Sequence, residues 1–90
     1  MLRELIESHQ FTQNLAAIGD AERMDDVLTG VKWALASNPE AYDVVRGLVD
    51  IRLVKTRPFP GAPMLRIWFR IDEDGHHVHL EDVEAIESEA

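Results

Sequence analysis

The 90-residue chain contains no cysteine, which excludes a disulfide framework, a thiolate metal site and a thiol nucleophile. No apolar run is long enough to span a bilayer, and the N-terminus lacks the hydrophobic region of a secretory signal. A cytoplasmic protein with no membrane partner is the expectation. Gly-x-Ser-x-Gly elbows, phosphate loops and zincin helices are missing, as are internal repeats and low-complexity segments. Beyond Arg70 there is no lysine, arginine or tyrosine, so the C-terminal end supplies no fixed cation.

What is present reads as one globular domain, with 46% hydrophobic and 29% charged residues. A chain of this size buries about 60–65% of its unfolded surface, enough for a single core with little margin. The net charge of −8 is unevenly spread. Residues 1–45 hold eight acids and three bases. Residues 46–70 hold six bases (Arg46, Arg52, Lys55, Arg57, Arg66, Arg70) against Asp50 alone, and residues 71–90 hold eight acids with no lysine or arginine. An acidic chain is repelled from nucleic acid at long range, which disfavours RNA or a ribosome as partner, while the central basic segment could still hold an anion locally.

Leu48 to Val83 is the organising stretch, read as strands over Leu48–Thr56, Met64–Asp72 and His76–Val83. In the middle strand Leu65, Ile67, Phe69 and Ile71 alternate with Arg66, Trp68 and Arg70, which places the two sets on opposite faces. The apolar face must be covered, and the N-terminal half offers the helices to cover it. In the first strand Val49, Ile51 and Leu53 are expected to face the core with Arg52 and Val54 opposite. In the third, Val78 and Leu80 are expected inside, with His77, His79 and Glu81 outside. Asp74-Gly75 signals a two-residue hairpin. Pro58, Pro60 and Pro63 stiffen the earlier connection around Phe59.

Phe11, Leu15 and Ile18 fall at helical spacing, and Gly19 suits the end of that helix. A second helix follows, with Asp20 as N-cap, Glu22 in its first turn and a stripe of Met24, Val27, Leu28, Val31, Ala34 and Leu35. Asn38-Pro39 starts a short third helical turn over Glu40 to Arg46, closed by Gly47 and offering Tyr42 and Val45 to the core. By propensity alone residues 2–8 lean helical. The acidic end, Glu84 to Ala90, reads as a frayed tail.

Arg52, Arg66, Trp68, Arg70, His77 and His79 gather on the polar sheet face, joined by Lys55 and Arg57 at a strand end. Cations around a phosphodiester stabilise developing charge, imidazoles move protons near neutral pH, and an indole stacks on a base. The plainer reading is a solvated face with cross-strand pairs such as Arg70 with Glu81. His77 and His79 are spaced i, i+2, which suits zinc, yet no carboxylate or cysteine is evidently placed to complete a site. The reading is therefore no metal and no cofactor.

Taken in order, these elements resemble the RelE/ParE superfamily of type II toxin–antitoxin toxins. The likeness rests on Ile6-Glu7-Ser8-His9-Gln10-Phe11-Thr12, on Asn38-Pro39-Glu40 with Gly47, on Leu65-Arg66-Ile67-Trp68-Phe69 and on Leu80-Glu81-Asp82-Val83. It implies an α+β fold across residues 1–90. An N-terminal strand at residues 2–8 would be followed by two to three helices on one face of a small antiparallel sheet ending in a three-stranded meander. It also implies a toxin-like protein neutralised by an antitoxin, acting by mRNA cleavage or by binding an essential enzyme such as gyrase. If the chain is an enzyme, the resemblance implies a metal-independent endoribonuclease. Lys55, Arg57, Arg66, Arg70, His77 and His79 would then be the catalytic candidates, with Arg52 and Trp68 binding. The acidic end departs from the basic or aromatic end of such toxins. The alternative is a non-catalytic interaction module on the same scaffold, binding a partner protein or a second copy of itself.

Overall fold

A computed structural model of the chain describes residues 2–19, 24–45, 47–48, 50–57 and 61–86. In chain order the elements are β1 (Glu4–Glu7), α1 (His9–Ile18), α2 (Met24–Ser37), a 3₁₀ turn (Pro39–Ala41), β2 (Ile51–Lys55), β3 (Met64–Ile71) and β4 (His77–Ile86). The strands form one sheet in the order β1-β4-β3-β2. β2, β3 and β4 are the antiparallel meander, while β1 runs parallel to β4. The sheet is thus mixed, where a wholly antiparallel one was expected. The chain leaves β1 through two helices and comes back beside it in the same direction, as parallel pairing requires.

Residues 4–7 are a strand despite their helical propensity. Leu5 pairs with Val78 and packs on the core, and flanking bonds run from Glu4 N to His76 O (2.8 Å) and from Ser8 N to Leu80 O (3.0 Å). A ladder and a buried face outweigh a local preference of a few tenths of a kcal/mol per residue. Ser8 then caps α1, its hydroxyl oxygen accepting from Phe11 N at 3.0 Å. Gly19, at φ 90°, ends the helix in a conformation that glycine adopts without strain.

Both helices lie on one face of the sheet. Phe11 of α1 and Met24, Val31 and Leu35 of α2 meet Val54, Leu65, Ile67, Phe69, Val78, Leu80 and Val83 in a single core. Each fully buried side chain of this size contributes roughly 1.5–3 kcal/mol. Tyr42 closes one side, its ring edge-on to Phe69 at 6.0 Å. The expected N-cap Asp20 and first-turn Glu22, and Phe59 with Pro58 and Pro60, lie outside the described residues.

Five details differ from the sequence reading. The third helix is only the 3₁₀ turn, and the Asn38 side chain makes no capping bond. From Asp43 the chain instead lies along the outer edge of β2, with Val45 N to Ile51 O at 2.7 Å and Leu53 N to Asp43 O at 3.3 Å. β2 starts at Ile51 and has the opposite phase. Val54 opposes Ile67 in the core, whereas Ile51 and Leu53 oppose Arg70 and Trp68 on the other face. The apolar Ile51 and Leu53 suggested the wrong side because an edge strand can leave such residues half-exposed.

The β3–β4 register slips between Trp68 and Phe69, which pair with Asp82 and Leu80 and leave Glu81 without an opposite number. The Ser8 hydroxyl donates to the Glu81 carbonyl at 2.8 Å and holds this bulge. Beyond it Val83 returns to the core and the strand continues to Ile86, so Glu84–Ile86 are strand rather than tail. Residues 87–90 lie outside the description. Finally, the hairpin loop spans four residues, 73–76. Asp72 N donates to His77 O (2.8 Å), Gly75 N to Asp72 O (2.9 Å), and Gly75 sits at φ 73°. The Asp74 carboxylate accepts from His76 N and His77 N and so holds this wider turn.

Candidate functional site

The sheet face away from the helices carries Lys55 from β2, Arg66, Trp68 and Arg70 from β3, and His77, His79 and Glu84 from β4. Trp68 sits mid-face, between two ends of different chemistry.

At one end, Lys55 stands directly opposite Arg66. Like charges so placed are destabilising, and nothing in the backbone requires them. Arg66 is offset by an ion pair to Glu84 on the neighbouring strand and by its position 5.8 Å from the Trp68 ring centre. Lys55 and Arg57 are exposed and form no ion pair among the described residues. Between them Thr56 is buried and fixes both. Its N–H donates to Leu65 O at 2.9 Å and its hydroxyl accepts from Leu65 N at 2.8 Å. Around the strand edge, an open groove of about 480 Å³ runs between α2 and β2. Val27, Val31 and Ala34 supply its apolar wall, and Lys55 and Arg57 stand on its rim together with the acidic Asp26.

The other end is the β3–β4 hairpin. Arg70 lies 3.4 Å from Glu81 and 3.8 Å from Asp72. His77 Nδ1 is 2.7 Å from Asp74 Oδ2, and its Nε2 is 3.5 Å from Glu4. His79 Nε2 is 3.7 Å from Asp72 Oδ2, closed to solvent and without a hydrogen-bond partner. The hydrogen bond that the His77 ring donates to the Asp74 carboxylate raises the His77 pKa above its ordinary value, helped by the charges of Asp74, Glu4 and Asp72. Asp74 is lowered, chiefly by the His76 N–H and then by His77. Asp72, Asp74 and His77 bring ligand atoms within 4.8 Å of one another.

The candidates therefore divide. Lys55, Arg57 and Arg66 share the basic end; Arg70, His77 and His79 share the hairpin end. His79 pairs with Arg70, four residues along β3 from Arg66 and so about 13 Å away at 3.3 Å per residue. A general acid must lie within hydrogen-bond reach of the group it protonates. By backbone position the histidines stand at the opposite end of the face from Lys55 and Arg66. Arg52 requires a correction: it takes the helix-side face opposite Phe69, and its guanidinium donates to the Tyr42 carbonyl at 2.5 Å. The phase of β2 turns it away from the polar face. Glu84, Asp72 and Asp74 belong to this face and were not singled out. Their signal was the strand pairing, which adjacent sequence positions do not reveal.

No protein-family model and no curated protein matches the sequence, whereas solved structures match the fold. The chain is similar to a chain of the intact E. coli RelBE toxin–antitoxin complex, with a TM-score of 0.71 and 17% identity over 96% of this chain and 99% of that one. The fold is RelE-like. An arginine double mutant of E. coli toxin RelE in the free state gives a TM-score of 0.71 at 18% identity, covering 97% of this chain and 86% of that one. The same mutant in complex with a peptide of the antitoxin RelB gives 0.62 at 17% identity, over 98% and 87%. Among the described residues, no helix of this RelE-like chain is long and apolar enough to cross a membrane.

Proposed function

We propose that this chain is the toxin-like component of a toxin–antitoxin pair, working in the cytoplasm and held by an antitoxin-type protein. Its working surface is the basic end of the open sheet face. The observation that carries this reading is the pair of exposed cations that form no ion pair among the described residues, Lys55 and Arg57, beside Arg66 on a RelE-like fold. Among the described residues, three cations at a strand end share one ion-pairing carboxylate, and setting Lys55 opposite Arg66 costs the fold stability that an anionic partner would recover. The groove beside them suits an amphipathic segment whose apolar side meets Val27, Val31 and Ala34 and whose acids meet Lys55 and Arg57.

Within this reading, binding an essential protein is better supported than cleaving mRNA. Arg66 and Arg70 are already paired with acids, and the imidazoles stand far from Lys55. Each neutralised cation lowers the affinity for a phosphate backbone. Those pairs also favour the second reading, an interaction module with no toxic activity. Induced expression of this chain alone in a bacterial host tests all three. Growth arrest with loss of replication supports a protein target of the gyrase kind, and arrest with loss of translation supports mRNA cleavage. Normal growth at high yield of folded protein leaves the interaction module.

A further inference from the structure

The hairpin end takes no part in that function. We propose that it is a binding site for one divalent transition-metal ion of the zinc class, held by Asp72, Asp74, His77 and His79. The residues are two carboxylates and two imidazoles, a donor set that suits zinc, nickel or cobalt better than calcium, which takes six to eight oxygens. The ligand atoms of Asp72, Asp74 and His77 all lie within 4.8 Å of one another, with Asp74 Oδ2 and His77 Nδ1 at 2.7 Å. Metal bonds of about 2.1 Å in a tetrahedral site place ligand atoms about 3.4 Å apart, which falls within the 4.8 Å limit that Asp72, Asp74 and His77 meet, while His79 joins them through its 3.7 Å approach to Asp72.

A second observation points to a ligand. His79 Nε2 is closed to solvent and has no hydrogen-bond partner, although it lies 3.7 Å from Asp72 Oδ2. The ring as a whole is a quarter exposed, but an Nε2 atom closed off and left unpaired costs stability, and coordination would satisfy it. The Asp72 oxygen facing His79 is not the one beside Arg70, whose guanidinium approaches Oδ1 at 3.8 Å and is held on its far side by Glu81. With Nδ1 of His77 on the metal, its Nε2–H would point to the Glu4 carboxylate, 3.5 Å away. A carboxylate behind a ligating histidine fixes the ring and its tautomer.

The frame is preorganised. His77 and His79 project from one face of β4, Asp72 is tied to His77 through a backbone bond of 2.8 Å, and Asp74 is held by the N–H groups of His76 and His77. The acidic surroundings attract a cation. The sequence reading found no carboxylate to complete a histidine site because it assumed a two-residue turn. The four-residue loop brings in Asp72 and Asp74.

The test is titration of the untagged chain with Zn²⁺ by calorimetry and with Co²⁺ by visible absorption, with thermal melts alongside. One metal per chain, tetrahedral Co²⁺ bands and a raised Tm are expected. Asp72→Asn and His77→Gln each weaken binding by more than about tenfold, and Glu4→Gln by about tenfold. His9→Gln and His76→Gln leave it unchanged. Circular dichroism of each variant separates lost ligand from lost fold. Absence of saturable binding overturns the proposal. So does binding that survives Asp72→Asn and His77→Gln, or that is lost with His76→Gln. None of these outcomes bears on growth arrest, so the two readings fail separately.

Discussion

The two ends of the open sheet face are built on the same strand pair, yet they carry opposite charge. Among the described residues, Arg66 pairs with Glu84, and Asp26 lines the groove beside Lys55 and Arg57. Around Arg70, His77 and His79 stand Glu4, Asp72, Asp74 and Glu81. The net charge of −8 describes neither end. Coulomb interactions between exposed groups are screened within about 8–10 Å, so a partner responds to the end it touches and not to the total. Polarity of this kind comes from register. β2 delivers its cations where β3 begins, and the acidic hairpin closes where β3 ends.

Substitutions that act on both ends, on one, or on neither test whether they are independent. The largest effect is expected from Phe69→Ala. Phe69 is fully buried beneath the face, between the two ends, and touches Tyr42. Losing the ring costs about 3–5 kcal/mol, a large part of the stability of a small domain. Chemical denaturation should show near-complete loss of the folded state, and partner binding and metal binding should vanish together. If one survives, the ends do not share a core.

Thr56→Val comes next. It keeps the shape but leaves Leu65 N without its acceptor, at a cost of about 1–3 kcal/mol. The damage falls at the junction that fixes Lys55 and Arg57. Partner affinity should drop while Zn²⁺ affinity, measured by calorimetry, stays as it was. Gly75→Ala is the mirror experiment. Gly75 lies at φ 73° with open space around it, so an added Cβ meets only backbone strain, about 1–2 kcal/mol. Zn²⁺ binding should weaken and partner binding persist. A reversal of either pattern would show that strain passes along β3 from end to end.

The sequence revealed the face but not its division. The alternation of Leu65 to Ile71 gave the buried and open sides of β3 correctly, and the stripe from Met24 to Leu35 gave α2. Both are periodic signals carried by one element alone. What stayed hidden depends on pairs of elements. The phase of β2 is set by which residue opposes Ile67, and Val54 rather than Leu53 does so. That one-residue slip carried Arg52 to the helix side. The bulge at Glu81 is held by Ser8, more than seventy positions earlier, and it alone lets Val83 rejoin the core. The histidines were visible as a cluster. Their carboxylates were not, since only the loop geometry brings Asp72 and Asp74 beside them. Arg70 with Glu81 was readable because cross-strand pairs of opposite sign are common on exposed faces.

The smallest change in stability comes with the sharpest test of the basic end. Lys55→Glu places a carboxylate opposite Arg66 where a cation now stands. A like-charge pair becomes an opposite-charge pair, a gain of about 0.2–1 kcal/mol. For a domain of this size that is a rise in Tm of at most about 8 °C. Binding should move the other way, with partner affinity and any growth arrest lost, because the rim of the groove changes sign. A protein that becomes more stable as it loses function has kept its cations for a partner and not for the fold. Should Lys55→Glu lower Tm, Lys55 has a structural role and its exposure misleads. Should affinity stay the same while Tm rises, the partner docks elsewhere, and the open edge of β1 becomes the next surface to test.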